Sequence, residues 1–168
     1  MNLRPLQPSD PQSLEAAFQA IGWSKPAALF ERYLREQADG ERWVRVAVVA
    51  GEVGGYVTVV WESGDPELKR RGIPEIMDLN VLPHHREQGT GTALMDAAEA
   101  EAAGHAPRVG LRVGLHSGYG HAQRLYVARG YLPDGRGASR GGEIVGEGAM
   151  VPLDDDTTIT LILELGPT

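Results

Sequence analysis

Residues 86–92, Arg-Glu-Gln-Gly-Thr-Gly-Thr, set two glycines one residue apart where a helical run begins, just after an apolar run that ends at Pro83. The first N–H groups of a helix have no intrahelical acceptor and carry the positive end of its dipole, so such a loop can hold phosphate. Glycine suits it because a Cβ at 89 or 91 would obstruct close approach of backbone to phosphate. The pattern Arg86-x-x-Gly89-x-Gly91 is short, and a chain with 22 glycines in 168 residues also offers it as a plain turn into a helix. The strand before it carries two acids, Glu75 and Asp78, able to take a proton or to form an ion pair. His84-His85 raises a metal site, but adjacent histidines point apart and no other ligand cluster stands out, so no metal is expected.

Composition narrows the partners. There is no cysteine, which excludes disulfides, thiolate zinc sites and a cysteine nucleophile. A net charge of −7 argues against nucleic acid, which needs clustered cations to displace counterions. The one basic cluster, Lys69-Arg70-Arg71, falls in a polar stretch and reads as a solvated loop. An acidic surface favours a cationic or amine ligand through long-range steering. No apolar run approaches the roughly 20 residues that span a bilayer, and Met1–Pro5 lacks the apolar segment of a secretory signal. No membrane partner is expected, and the cytoplasm is the expected location.

The elements that would position these groups follow from periodicity. A strand over Asn2–Leu6 precedes a helix from Pro11 to Ile21, capped by Ser9 or Asp10. A second helix runs to Gln37, with Ser24 as N-cap and Pro26 in its first turn. Trp43–Val49 and Gly54–Trp61 read as an antiparallel hairpin, and residues 64–72 as a loop. The acid-bearing strand is placed at 73–81, its helix from Thr92 or slightly earlier to Ala103, and the next strand at Arg108–Leu115. A helix over His121–Ala128, a strand opening at Tyr131-Leu132, a long glycine-rich loop at 134–152 with a small hairpin near Glu143–Val145, and a strand at Thr157–Leu165 complete the chain.

Two distant segments together resemble one family. Leu79-x-Val81-x-Pro83-x-x-Arg86-x-x-Gly89-x-Gly91-x-x-Leu94 is similar to the cofactor motif of the Gcn5-related N-acetyltransferases (GNAT). About forty residues on, Ala122-x-x-Leu125-Tyr126-x-x-x-Gly130-Tyr131 resembles that family's next motif. The tail from Tyr131 resembles small acetyltransferases of bacterial type. The resemblance implies an α/β (α+β) acyl-CoA N-acyltransferase fold in a single domain over residues 1–168, with a mixed central sheet, splayed parallel strands and helices on both faces. It implies acetyl-CoA as co-substrate and transfer of the acetyl group to a primary amine of a small molecule or peptide. Whether the chain forms a homodimer is left open.

The resemblance also assigns roles. Backbone groups of Leu79 and Val81 would meet the pantetheine arm and thioester. Arg86 and the N–H groups of Gln88, Gly89, Thr90, Gly91 and Thr92 would hold the pyrophosphate. Tyr126 stands where the family often has a tyrosine that protonates the coenzyme A sulfur. Glu75, six residues before Val81, stands where some members carry a catalytic glutamate; Asp78 is its rival, and water serves as base in many members. The two acids should face opposite ways on a regular strand, but a bulge near the cofactor is expected in this family and removes the parity rule. Where the family often has an asparagine seven residues before the tyrosine, this chain has Tyr119, so Gln123 is the substitute contact. The acceptor would lie against residues 12–40 and 134–152, with Trp23, Phe30, Tyr33 or Trp61 lining it. The contrasting reading is a catalytically weak acetyl-CoA-binding regulatory module.

Overall fold

The described residues form eight strands, most of them short runs rich in β-branched residues, and five α-helices. The computed structural model describes residues 1–166. None of the described helices is long and apolar enough to cross a membrane. The chain divides into two compact units, one of Met1–Trp61 with Ile76–Glu101 and one of Glu62–Glu75 with the chain from Ala102 onward.

In the first unit β1 (Asn2–Pro5) pairs antiparallel with β2 (Arg42–Val49), and β2 with β3 (Glu52–Val60). β4 (Glu75–Val81) follows β3 in the strand order. The hairpin expectation holds, with a register shift between Ala47 and Val48. Helices α1 (Asp10–Gln19) and α2 (Ala27–Ala38) pack their apolar faces on these strands. Leu14, Phe18 and Phe30 meet Val44, Val46 and Tyr56 in the core. Tyr56 stands edge-on to Phe18 and Phe30, with ring centroids 5.6 and 5.2 Å away, a favourable arrangement for aromatic quadrupoles. Ser9 precedes α1 without a side-chain cap, and Pro26, not Ser24, occupies the cap position of α2. Asp10 stabilises the first turn by accepting from Gln7 N–H and pairing with Arg4 at 2.6 Å.

In the second unit β5 (Arg108–Gly114) pairs antiparallel with β8 (Thr157–Glu164), and β8 with β6 (Leu132–Arg140). β7 (Glu143–Ile144) closes a small hairpin on β6. Two expectations fail here. Residues 64–72 contain α3 (Pro66–Arg70), started by Asp65, whose carboxylate accepts from the N–H groups of Glu67 and Leu68. The Asp65-Pro66 pair was the available signal, since Asp caps and Pro fits the first turn. The glycine-rich segment from 134 is strand as far as Arg140, not loop. Its pairing with β8 is interrupted between Pro133 and Ala138, where Gly135 and Gly137 take φ of +89° and +77°. Glycine is admitted because the bulge needs the left-handed region, so composition that looks like loop is here the means of bending a strand. Arg136 fixes the bulge through Asp134 and Asp65 at 2.6 and 3.0 Å.

Candidate active site

The middle of β4 departs from regular strand geometry at Asp78, whose φ is +55°. A non-glycine residue in the left-handed region costs energy, and Asp tolerates it better than most. This irregularity breaks side-chain alternation, so the parity of Glu75 and Asp78 decides nothing. Asp78 accepts from Lys25 Nζ at 2.5 Å, Tyr56 hydroxyl at 2.6 Å, Asn80 Nδ2 at 2.8 Å and Tyr33 hydroxyl at 2.9 Å. Burial alone would raise its carboxyl, but the Lys25 ammonium and the two tyrosine hydroxyls outweigh burial and hold it below the ordinary aspartate value. The same contacts work in reverse on the tyrosines. Burial first, then the Asp78 charge, pushes both hydroxyls upward, so they stay protonated donors.

A carboxyl whose folded value lies below its unfolded one contributes stability above the unfolded value, near pH 4, and loses it as the pH falls through the folded value. Denaturant unfolding measured from pH 6 to pH 2 should therefore show an acid-limb loss that Asp78→Asn removes. An unchanged acid limb in that variant would show that Asp78 contributes nothing to it.

Glu75 has different surroundings. Its side chain is 2% exposed and pairs with Arg112 of β5, whose Nε lies 2.7 Å from Oε1. Ser63 donates to Oε2 at 2.5 Å, and Arg112 Nη2 reaches the same oxygen at 3.3 Å. Both oxygens are thus held by donors. Ser63 Oγ in turn accepts from Asp65 N–H at 2.9 Å, so the acid is tied to the cap of α3.

After β4 the chain makes a 3-10 turn at Pro83–His85 and enters α4 (Thr90–Ala103) two residues earlier than Thr92. Between them Glu87 and Gly89 take φ of +58° and +81°. Left-handed residues in a turn can direct successive N–H groups into an anion-binding concavity, as in phosphate loops. In the protein alone, a Cβ at Gly89 would meet nothing and one at Gly91 would touch Val81 Cγ2 at 3.6 Å, an ordinary contact. Gly89 is thus required by its backbone conformation, and Gly91 lines a side of the loop that protein atoms leave open. Thr90 is buried, while Gln88, Gly89 and Thr92 are exposed. Arg86 folds back so that its Nε donates to the Val81 carbonyl at 3.1 Å, with its guanidinium 5.4 Å from the Trp23 ring. Gln88 Nε2 likewise donates to the His84 carbonyl at 2.8 Å. Leu79 and Val81 are both half-buried on β4. This set fits a coenzyme pyrophosphate: helix-terminal N–H groups, a left-handed turn and a neighbouring guanidinium.

Tyr126 lies on α5 (Gly120–Ala128), on the face it shares with Ala122 and Leu125. It is 8% exposed, with its ring 5.8 Å from that of Tyr131. Burial and the neighbouring Tyr119 push its hydroxyl up to about 12, so it is a proton donor at neutral pH. Gln123 donates from Nε2 to the Gly114 carbonyl at 2.8 Å, at the end of β5. Tyr119 covers the Gly114 backbone so closely that a Cβ at 114 would strike its ring.

Two further sequence expectations change. Phe30 and Tyr33 are buried in the core of the first unit, whereas Trp23 borders a cleft of about 270 Å³ with Glu15, Gln19 and Lys25. His84 and His85 do not point apart: their rings lie 4.2 Å between centroids, because the pair sits in a 3-10 turn. The partners of the two acids were also missed. Lys25, Tyr33, Tyr56 and Asn80 surround Asp78, and Ser63 and Arg112 hold Glu75. A charged residue between buried Leu111 and Val113 was the one available sign for Arg112.

The sequence matches the family model described as the acetyltransferase (GNAT) family over residues 12–131. The chain belongs to the GNAT family. Solved structures agree on the fold, at identities too low to carry more than that. A GNAT-family protein from Desulfovibrio desulfuricans superposes with a TM-score of 0.73 at 17% identity, covering 98% of this chain and 99% of that one. A ribosomal-protein-alanine N-acetyltransferase from Brucella melitensis gives 0.71 at 14%, with 98% and 99% covered. An aminoglycoside 6′-N-acetyltransferase complexed with coenzyme A gives 0.67 at 18%, with 100% and 99% covered. No curated protein matches the sequence. The GNAT chain therefore has the mixed α/β acyltransferase fold expected of it, and its family's chemistry uses acetyl-CoA.

Proposed function

We propose that the chain is an N-acetyltransferase, a single catalytic domain over residues 1–168 that transfers the acetyl group of acetyl-CoA to a primary amine of a small molecule or peptide. The observation that carries this is the turn from β4 into α4, where left-handed Glu87 and Gly89 lead into the N-terminus of α4 within a GNAT chain. In this reading the N–H groups of Gln88 to Thr92 bind the pyrophosphate, and Arg86, braced on Val81, adds a positive charge. Main-chain groups of Leu79 and Val81 orient the pantetheine arm, and Gln123 contributes from α5. The thioester supplies the acyl group; its leaving thiolate takes a proton from the Tyr126 hydroxyl, which burial keeps protonated.

The amine must arrive neutral, and its proton must leave. Asp78 is a weak base, because Lys25 and two hydroxyls already stabilise its charge. We assign it to holding the bulge of β4 and the Lys25 ammonium in place. Glu75, fixed at both oxygens, suits the anchoring of a water that carries the proton away. The cleft at Trp23, lined by Glu15, Gln19 and Lys25, is where the acceptor would dock.

Calorimetric titration with acetyl-CoA and with coenzyme A, followed by amine-dependent release of free thiol, tests the reading. Saturable binding and thiol release with at least one primary amine are expected. No heat of binding for either coenzyme would overturn it, and binding without transfer across a broad amine panel would favour the regulatory module. Since the chain has no cysteine, every thiol detected belongs to coenzyme A.

A further inference from the structure

The histidine pair has a third neighbour that chain order conceals. Glu52 opens β3, and Leu82 N–H donates to the Gly54 carbonyl at 2.9 Å, which brings the start of β3 beside the 3-10 turn at Pro83–His85. A ring nitrogen from each of His84 and His85 and a carboxylate oxygen of Glu52 consequently lie within 4.8 Å of one another. His85 is 8% exposed, and its Nε2 is fully buried with no hydrogen-bond partner. A buried imidazole nitrogen without a partner is costly, so natural structures rarely leave one unexplained. Its ring lies beside the Gly54 backbone, where an added Cβ would come within 3.4 Å of it.

We propose that Glu52, His84 and His85 bind a divalent first-row transition ion. Two imidazoles and one carboxylate are the donor set such ions prefer, with zinc the natural probe. Bonds of about 2.0–2.2 Å put ligands on one zinc roughly 3–4 Å apart, so small rotations of the exposed Glu52 and His84 side chains close the set around the buried His85. Three protein ligands leave a further coordination position for water or an anion. The ion would pin the 3-10 turn to β3 directly before Arg86 and the glycine loop. The proposal stands apart from the acetyltransferase reading, because its readout is metal binding and not turnover.

The test is calorimetric titration of zinc into tag-free, chelator-treated and dialysed protein, with His84→Ala, Glu52→Gln and His116→Ala as variants. Glu52 and His84 are exposed, so their replacement leaves the core intact. His116 pairs with Asp155 at 2.9 Å and serves as a control at a histidine–carboxylate pair elsewhere. One equivalent of zinc is expected in the parent and in His116→Ala. Affinity should drop about 100-fold or more in each of the other two, since even loss of an outer-shell partner costs 10–100-fold. No saturable uptake by the parent, or uptake retained in His84→Ala or Glu52→Gln, would overturn the site.

Discussion

Replacing Tyr126 with Phe should lower kcat by roughly 10²–10⁴-fold, the usual contribution of a positioned general acid, with coenzyme A affinity unchanged. Phenylalanine keeps the ring packed beside Tyr131 and removes only the hydroxyl, so stability should hardly move. The parent enzyme has a further signature. Because the hydroxyl titrates near 12, the rate should show no loss from tyrosine ionisation between pH 7 and pH 10. A Phe variant as fast as the parent would mean that water protonates the leaving thiolate, and Tyr126 would revert to a packed aromatic.

The second large effect is on stability. Arg112→Ala strips the Glu75 carboxylate of its cation while leaving it buried, and breaking a buried pair from one side costs about 3–5 kcal/mol. Equilibrium denaturation should register that loss. Glu75→Gln is the informative partner variant: it keeps an oxygen for Arg112 and an amide for Ser63, so its stability cost should be much smaller. If Glu75 anchors the proton-carrying water, Glu75→Gln should lower kcat even so. A loss below about 1 kcal/mol for Arg112→Ala would place the pair with ordinary surface ion pairs, and full activity in Glu75→Gln would remove the anchoring role.

Much of this molecule was legible beforehand because its local signals are strong. The strand, glycine turn and helix around residues 75–103 came within two residues of the observed bounds, since periodicity and glycine placement there agree. Tyr126 was singled out by its place in the second motif, and the structure has it buried on α5. What escaped was whatever depends on residues far apart in sequence. Glu75 and Arg112 are 37 positions apart, and Lys25 and Asp78 are 53 apart, so no local pattern joins them. The same holds for Glu52 and the histidines, where reading adjacent side chains as divergent assumed extended backbone and the chain instead made a 3-10 turn. The strand at 132–140 was misread for a different reason: glycine there serves a bulge, and composition cannot tell a bulge from a loop.

The interleaving of the two units has a consequence for the order in which the nascent chain can acquire structure. Residues 62–75 leave the ribosome midway through synthesis of the first unit, yet Asp65 must wait for Arg136, 71 residues later, and Glu75 for Arg112. The first unit has all its residues once Glu101 has emerged, and it would carry this segment as a tethered passenger with two acids still hydrated. Long-range closures of this kind slow folding. A fragment ending near residue 101 should accordingly show protected amides in β1 to β3 and freely exchanging ones across 62–75.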